Sequence, residues 1–365
     1  MPRPPVRIGI LGTGFGAIHA EAFRRDARCQ VTAVWSRSQA HAEAAAARWG
    51  ARPFTDFREL LAAGLCDALS IATPPALQAE IGMAALGQGL PVCFEKPLAH
   101  SLDAAEQLAR LAAAKAVTTA MSFEFPELAV WREAKRRLDA GEIGRPLQVS
   151  VRWHVETYAN KLRMDVWKTR PQEGGGTMNM FSSHTFHYLE WLLGPMQRLY
   201  AKIQRSPGDH RTGDTINHLA LEGAESMPIV ASIATNVFGG SGHVVEIFGE
   251  DGTLRLQNSG ADYTRGFILE LARRPDAELH SIVSEAASGD LKEDEDGRIA
   301  PMARIVRRFV DSLTGGPPCS PDVRAGLRVQ QLMAAAQRSQ ASGRSIDLSE
   351  LAPAPPPQPQ EGSPR

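Results

Sequence analysis

The feature that most constrains this chain is the regular alternation of short apolar strands with helices over its first third. Predicted strands run from Val6 to Leu11 and from Gln30 to Trp35, and a helical pattern follows each of them. Similar strands are predicted at 67–71, 91–94 and 117–121. Strands that are short and apolar throughout are typical of parallel βαβ units buried on both faces. The right-handed crossover rule then predicts an α/β fold with a doubly wound parallel sheet.

The pattern changes near Phe123, where strands begin to follow one another without intervening helices. Several such strands are predicted between residues 197 and 272, and two helices come after them. Successive strands of this kind predict a mostly antiparallel sheet in an α+β arrangement. We therefore expect a nucleotide-binding domain at 1–122, a second domain at 123–345 and a Pro-rich tail without fixed structure at 346–365.

Composition excludes several classes of protein and partner. The 365 residues carry 40 Lys and Arg against 41 Asp and Glu, so no bulk charge attracts nucleic acid or an acidic membrane. No apolar run approaches about 18 residues, which excludes a spanning helix. The four cysteines, Cys29, Cys66, Cys93 and Cys319, form no C-x-x-C pair. They are typical of reduced thiols, so we expect a cytoplasmic protein with neither disulfides nor a zinc knot.

A glycine-rich turn of the pattern G-x-G-x-x-A joins the first strand to the first helix. Gly12 permits a tight turn, Gly14 lets a pyrophosphate approach the backbone, and Ala17 lets the helix pack against the sheet. Because the motif lies between a strand and a helix of a βαβ unit, it predicts dinucleotide binding rather than an ordinary turn. The residues of this turn are Gly12, Thr13, Gly14, Phe15, Gly16 and Ala17.

The end of the second strand carries information about which dinucleotide binds. A carboxylate at this place pairs with the ribose 2′-hydroxyl of NAD, but here Ser36 and Arg37 follow Trp35. Arg37 can instead form charge-assisted hydrogen bonds with a 2′-phosphate. The sequence therefore favours NADP over NAD. The alternative is that Arg37 is only solvated and that either cofactor binds.

The segment Glu95-Lys96-Pro97 ends the strand predicted at 91–94. Strand carboxyl ends line the ligand crevice of a doubly wound sheet, and a lysine there can bind a substrate oxygen and help to move its proton. Pro97 restricts Lys96 to an extended backbone and allows a cis bond. Taken alone, a lysine at a strand end is usually a surface charge.

Four motifs together resemble those of the Gfo/Idh/MocA oxidoreductases, relatives of glucose–fructose oxidoreductase and inositol dehydrogenase. Order and spacing match over roughly residues 6 to 345. The resemblance implies a Rossmann domain and an α/β domain with an open antiparallel sheet that often forms homo-oligomers, here a dimer or tetramer. It also implies hydride transfer between NAD(P) and a secondary alcohol of a sugar, cyclitol or nucleotide sugar. The motifs are Gly12-Thr13-Gly14-Phe15-Gly16, Ile71-Ala72-Thr73-Pro74-Pro75, Glu95-Lys96-Pro97, and Gly174-Gly175-Gly176 followed by His184.

The resemblance also implies roles for single residues. Thr73 and Pro74 would flank the nicotinamide, Glu95 and Lys96 would contact its ribose, and Lys96 would reach the reacting oxygen. His184 matches the catalytic histidine of the family, which moves the proton of the alcohol. The predicted cofactor-binding residues are Gly12, Thr13, Gly14, Phe15, Gly16, Ser36, Arg37, Ala72, Thr73, Pro74, Glu95, Lys96, Pro97 and Trp167.

The histidine segment departs from the family at two positions. The carboxylates that flank the catalytic histidine in the family fall at Met180 and His187 here, so both are absent. We therefore expect the proton route to run through Lys96 and His184. His187 would meet substrate hydroxyls, or else it packs in the core. His184 and His187 lie on one helical face with Glu190, but no third ligand with recognised spacing follows, so we expect no metal site.

A loop from Trp153 to Gly176 is rich in aromatic and polar residues and is predicted to form a sugar-binding wall. Its Trp167 and Lys168 match a pair that the family places near cofactor and substrate, and Glu124 lies at the predicted domain junction. The sequence therefore predicts an NADP-preferring dehydrogenase or reductase. Two alternatives stay open: a non-catalytic NADP-binding sensor, and a reductase acting on an imine, a diketone or a tetrapyrrole.

Overall fold

The structure is a computed structural model that describes residues 4–170, 173–208, 213–260, 262, 264–284 and 295–351. Within these ranges, no helix combines the length and the apolar character needed to cross a membrane. Most of the predicted Pro-rich tail, residues 352–365, lies outside the described residues.

The first domain is built on a six-stranded parallel sheet with the order β3-β2-β1-β4-β5-β6. The chain starts in the middle of this sheet, adds strands on one side and then crosses to the other, which confirms the doubly wound prediction. The third strand was not predicted, because its three residues are too few for a pattern. The strands are β1 (Val6–Leu11), β2 (Cys29–Trp35), β3 (Arg52–Phe54), β4 (Ala68–Ile71), β5 (Val92–Phe94) and β6 (Thr119–Met121).

Helices cover both faces of this sheet and begin where the sequence supplies capping residues. The side chains of Ser38, Asp56 and Ser101 each accept a hydrogen bond from an amide in the first turn of the helix that follows. The helices are α1 (Gly16–Arg24), α2 (Gln39–Trp49), α3 (Phe57–Ala62), α4 (Pro75–Gly87) and α5 (Leu102–Ala114).

The second domain contains a nine-stranded sheet with the order β14-β13-β12-β11-β7-β10-β9-β8-β15. All of its pairings are antiparallel except that between β7 and β10, so the prediction of a mostly antiparallel sheet is confirmed. Its elements are α6 (Ala129–Asp139), β7 (Pro146–His154), α7 (Tyr158–Lys161), α8 (Ser183–Leu193), β8 (Arg198–Gln204), β9 (Ile216–Glu222), β10 (Pro228–Ala234), β11 (Gly242–Gly249), β12 (Gly252–Asn258), β13 (Ile268–Arg273), β14 (Asp276–Ser284) and β15 (Ile346–Asp347).

Two long helices after the second sheet return the chain to the first domain. In α9 (Ile299–Leu313) the apolar side chains join the core of β1 and α1, and the ring of Phe309 meets that of Phe23 edge to face at 6.3 Å. This helix, which the predicted boundaries assign to the second domain, therefore packs its apolar face on the first domain. The helix α10 (Val323–Ser342) packs against both α5 and β8, and so links the two domains.

The predicted start of the tail at residue 346 is also too early. Ile346 and Asp347 form β15, which pairs with β8 at the edge of the large sheet, and a short 3₁₀ turn at 348–351 follows. Ile346 and Leu348 are buried against the core. The folded chain therefore extends to at least residue 351.

Candidate active site

A cavity of about 510 Å³ runs along the carboxyl ends of β1, β2, β4 and β5. In a doubly wound sheet this edge is where ligands bind. It brings together residues from six separate segments of the sequence. They are Gly12, Thr13, Gly14, Phe15, Trp35, Ser36, Arg37, Ser38, His41, Ala72, Thr73, Pro74, Leu77, Glu95, Lys96, Trp167, Lys168 and Met180.

The glycine-rich turn has the geometry that a dinucleotide requires. At Gly12 the backbone φ is +105°, and a Cβ there would lie 2.4 Å from the carbonyl oxygen of Ala72, so only glycine fits. A Cβ at Gly14 would meet no described atom within 4 Å, which leaves this backbone open to a ligand. Thr73 adds a buried Oγ1 that has no partner among the described residues. These features fit a phosphate-bearing ligand whose groups hydrogen bond to the turn.

The far end of the same cavity lies where β2 ends and α2 begins. The Ser36 hydroxyl accepts a hydrogen bond from the Ser38 amide at 3.3 Å, and the Ser38 hydroxyl accepts one from the His41 amide at 3.4 Å. Arg37 is exposed beside them. Two hydroxyls, a guanidinium and the positive end of a helix therefore converge at this point, which favours an anionic ligand group.

The Glu95-Lys96-Pro97 turn is held by a residue that the sequence analysis did not single out. Gln78 of α4 is buried, and its Nε2 donates to the carbonyl oxygens of Glu95, Pro97 and Leu98 at 2.6, 2.9 and 3.1 Å. Its Oε1 accepts from the amide of Glu95 at 3.1 Å. The Lys96–Pro97 peptide bond is cis, as the proline permits. One side chain therefore fixes the backbone from which Lys96 extends.

Lys96 links the two domains. Its Nζ donates a hydrogen bond to the backbone carbonyl oxygen of Met180 at 3.0 Å. Met180 lies in a π-helical turn, residues 178–182, that leads into α8. Such turns release backbone groups from the regular helical ladder and are frequent at functional sites. The lysine thus contacts the main chain at the position where the family's carboxylate is absent.

Burial shifts the pKa values of Glu95 and Lys96 in opposite directions. Burial raises the pKa of Glu95 to about 7, although the Lys96 charge and its amide hydrogen bond act in the opposite direction. Burial also lowers the pKa of Lys96, while the charges of Glu95 and Glu124 oppose that change. Both groups can therefore exchange protons more easily near neutral pH than their exposed counterparts.

His184 lies buried in the first turn of α8, among aromatic rings. Its ring meets those of Phe125 and Phe123 edge to face, with centroids at 5.1 and 6.4 Å. Burial and the charge of Lys96 hold its pKa well below the ordinary value, so the imidazole is neutral at neutral pH. Lys96 and His184 are thus within electrostatic range. His184 is not among the described residues that line either of the two cavities at this site.

A second cavity of about 410 Å³ adjoins the first and shares Trp167, Lys168 and Met180 with it. Most of its wall comes from the loop between β7 and α8, as the sequence predicts. A ligand in the second cavity would therefore meet one in the first beside Lys96. Its lining residues are Thr157, Tyr158, Ala159, Asn160, Met164, Val166, Trp167, Lys168, Thr169, Gly176, Met180, Phe181, Asp214, Thr215 and Thr235.

Asp214 supplies a carboxylate to this second cavity that sequence reasoning missed. It precedes β9, and its Oδ2 accepts a hydrogen bond from the Met178 amide at 2.7 Å. Burial raises the pKa of its carboxyl group. No motif surrounds Asp214 in the sequence, and only the pairing of β9 with β10 brings it to the glycine run before α8.

Two residues predicted to meet the substrate do not line either cavity among the described residues. The His187 ring stacks on that of Phe123 with centroids 3.9 Å apart, and burial lowers its pKa to about 3. This geometry favours the alternative of a core-packed histidine. Glu124 is buried at the domain junction, where its charge acts on Lys96. No three His, Cys, Asp or Glu side chains in the described ranges group closely enough to hold a metal ion.

Comparison with known proteins agrees with this architecture. Residues 6–123 match the model of an oxidoreductase family with an NAD-binding Rossmann fold, and residues 135–348 match that of its C-terminal alpha/beta domain. An uncharacterized oxidoreductase of Synechocystis is 31% identical over 345 residues, which cover 90% of this chain and 92% of that protein.

An inositol 2-dehydrogenase of Ralstonia nicotianae is 26% identical over 365 residues, covering 96% of this chain and 98% of that protein. Among solved structures, a levoglucosan dehydrogenase in complex with NADH and levoglucosan superimposes with a TM-score of 0.83 at 19% identity, covering 94% of this chain and 99% of that one. Both family models match in chain order and together span most of the sequence. The chain therefore belongs to the Gfo/Idh/MocA family of NAD(P)-binding oxidoreductases.

Proposed function

We propose that this protein transfers a hydride between NADP(H) and a secondary alcohol or ketone of a sugar-like or cyclitol-like substrate. The observation that carries the proposal is the position of Lys96. Lys96 lines the cofactor-type cavity, and its ammonium donates a hydrogen bond to the carbonyl oxygen of Met180, a residue that lines both cavities together with Trp167 and Lys168. The inositol and levoglucosan dehydrogenases that resemble this chain act on compounds of the same chemical class.

The dinucleotide would be held along the carboxyl edge of the first sheet, and when bound its nicotinamide supplies the hydride acceptor or donor. The backbone of the turn at 12–16 would hold the pyrophosphate, and Ser36 and Arg37 the adenosine ribose. Segments 72–74 and 95–97, together with Trp167, would hold the nicotinamide half.

Lys96 and His184 would handle the proton of the reacting oxygen. Lys96 donates a hydrogen bond to that oxygen, which stabilises the negative charge that develops there. Its pKa is lowered by burial, so it loses a proton more readily than an exposed lysine. His184 is neutral because burial lowers its pKa, and since it lines neither cavity, it would receive the proton of the alcohol through Lys96 rather than directly. The Met180 carbonyl orients the lysine until substrate replaces it.

Turnover by two variants tests this mechanism. NADPH and NADH are titrated by their fluorescence, and cofactor redox change is then followed across sugars, inositols and nucleotide sugars. We expect Lys96→Met and His184→Asn each to reduce kcat by about 10²–10⁴-fold, with cofactor affinity retained. The controls are Lys115→Met and His100→Asn at exposed positions. Wild-type turnover in both site variants would refute the mechanism, and cofactor binding without turnover on any substrate would favour a sensor.

The preference for NADP rests on the end of β2. Arg37 and the capped start of α2 converge there with the Ser36 hydroxyl, and no described carboxylate lines that end of the cavity. We expect Arg37→Ala to weaken NADPH binding about tenfold or more and to leave NADH binding nearly unchanged, because a charge-assisted hydrogen bond contributes about 1.5–3 kcal/mol. Arg110→Ala is the control for loss of a surface charge. Equal effects on the two cofactors would contradict the preference.

We also propose that the protein forms a homo-oligomer in the cytoplasm. The large sheet exposes apolar side chains, with Tyr200 and Val230 41% and 49% exposed. Exposed apolar patches of this kind are typical of association surfaces. The four cysteines are unpaired thiols, which suits a reducing compartment. Light scattering of the purified protein measures the number of subunits, and a monomer would refute the first part.

A further inference from the structure

The second cavity contains one built-in carboxylate, and its position suggests what kind of substrate the protein selects. We infer that Asp214 accepts a hydrogen bond from a substrate hydroxyl and thereby selects neutral polyhydroxylated rings over their carboxylate-bearing counterparts. This inference rests on the proposed function, because it concerns the substrate of the same site. It adds a specificity-determining residue that lies outside every motif of the sequence.

Asp214 is held firmly in place. Its backbone carbonyl oxygen accepts a hydrogen bond from the Thr177 amide at 2.9 Å, and its Oδ2 accepts one from the Met178 amide at 2.7 Å. A Cβ at Gly176 would lie 2.3 Å from its Oδ1, so the side chain packs directly on a glycine backbone with φ of +112°. A carboxylate fixed in this way loses little further freedom when it binds a ligand.

The carboxylate keeps capacity for a ligand. An ionised carboxylate has about four lone-pair sites on its two oxygens. Among the described residues, the amides of Met178 and of Asp214 itself and the side chain of Asn217 use part of this capacity, and the charge of Arg205 favours the ionised form. Because Asp214 lines the cavity, its remaining sites can accept hydrogen bonds from hydroxyl groups that enter there. A ligand carboxylate has no donor to offer at neutral pH.

The rest of the second cavity has a polar wall and an aromatic surface, which are complementary to the edge and to the face of a sugar ring. One wall carries hydrogen-bonded polar groups: Asn160 Nδ2 donates to the Thr235 carbonyl oxygen at 2.8 Å, and the Thr235 hydroxyl lies 2.8 Å from that of Thr177, which is buried and does not line the cavity. Trp167 and Phe181 supply an aromatic surface on the lining. A ring with hydroxyls at its edge and C–H groups on its face can satisfy both surfaces at once.

The charges in the lining of the second cavity favour a neutral sugar over the corresponding uronic acid. In the described lining, Asp214 is the one carboxylate and Lys168 the one ammonium. Lys168 also lines the cofactor-type cavity, where the phosphates of a dinucleotide would offset its charge. A uronate placed near Asp214 would meet a like charge in a poorly solvated site, and that repulsion is much stronger than in water.

The test compares neutral sugars with the matching acids: glucose with glucuronate and galactose with galacturonate. Binding to the protein saturated with NADPH is measured by calorimetry, and KM and kcat are measured wherever turnover occurs. Asp214→Asn keeps the shape and an acceptor for the Met178 amide but removes the charge. Asp139→Asn, at an exposed position at the end of α6, is the control.

We expect the wild type to bind the neutral sugars at least tenfold more tightly than their acids. In Asp214→Asn this ratio should fall about tenfold, with KM for neutral sugars rising more than kcat falls. A ratio unchanged within twofold in a folded variant, or a wild type that prefers the acids or binds neither class, overturns the inference. Selective binding without hydride transfer would instead refute only the proposed reaction, since the binding readout does not depend on turnover.

Discussion

Replacement of Gln78 tests how Lys96, the lysine for which we propose a catalytic role, is positioned. This buried side chain makes four hydrogen bonds to the backbone around the Glu95-Lys96-Pro97 turn, three as a donor and one as an acceptor. Gln78→Leu keeps a similar volume and removes all of them. The carbonyl oxygens of Glu95, Pro97 and Leu98 then lose this partner in a site that water reaches poorly, whereas the Glu95 amide keeps its hydrogen bond to the Ile71 carbonyl oxygen at 2.9 Å.

The magnitude follows from the number of groups left unpaired. Each buried backbone group without a partner costs about 1–3 kcal/mol, so two or three of them, partly relieved by relaxation, cost about 3 kcal/mol of unfolding free energy. The turn also loses the contacts that fix Lys96. A displacement of about 1 Å in a catalytic group can cost about 10²-fold in rate, so we expect kcat to fall by one to two orders of magnitude.

The assay combines urea denaturation, followed by tryptophan fluorescence, with steady-state kinetics and NADPH titration. Gln88→Leu, at the exposed end of the same helix, is the control and should change the unfolding free energy by less than about 0.5 kcal/mol. Gln78→Glu distinguishes the loss of the hydrogen-bond donors from a change in side-chain shape. It preserves the size and the acceptor oxygen of the side chain, but it places an anion beside three carbonyl oxygens. The reasoning is refuted if Gln78→Leu matches Gln88→Leu in both unfolding and kcat, or if Gln78→Glu behaves as wild type.

Two further predictions concern the same edge of the sheet. The pKa of Glu95 rises from an ordinary value of 4.5 to about 7 on folding, so the folded state binds more protons than the unfolded state in this pH range. The free energy of unfolding therefore falls as pH rises from about 4.5 to 7. Between pH 5 and 8, Glu95→Gln should lose less stability than the wild type, as measured by urea denaturation. Gly12→Ala should destabilise the fold by about 2 kcal/mol or more, because its Cβ would meet the Ala72 carbonyl oxygen. Gly14→Ala should instead fold normally and lose cofactor affinity. Equal unfolding midpoints for the two glycine variants would contradict this interpretation of the turn.

The first domain could be predicted because its signals are local. Short apolar strands alternate with helices at a spacing set by backbone geometry, and Gly12 of the first turn occupies a position that only glycine tolerates. The order and spacing of the four motifs likewise indicate the family. Both predictions rest on residues whose role depends on their immediate neighbours in the sequence.

Other features could not be predicted because they depend on distant partners. The apolar stripe of α9 shows that the helix is buried, but not that it packs on α1 rather than on the large sheet. His187 follows His184 by one helical turn, and only the position of Phe123 directs its ring into a stacked contact. Asp214 and Gln78 carry no motif, since their partners come from other elements.

By itself, the sequence determined the fold class, the dinucleotide edge and the lysine at the end of β5, because strand periodicity, glycine geometry and a short turn are encoded by residues next to one another. The tertiary structure alone decided the surroundings of that lysine and of the second cavity: the carbonyl of Met180 is the hydrogen-bond partner of the lysine, burial lowers the pKa of a nearby imidazole, and the segment before β9 supplies a carboxylate to the cavity. Burial and long-range pairing fix these properties, and neither is a property of a local segment.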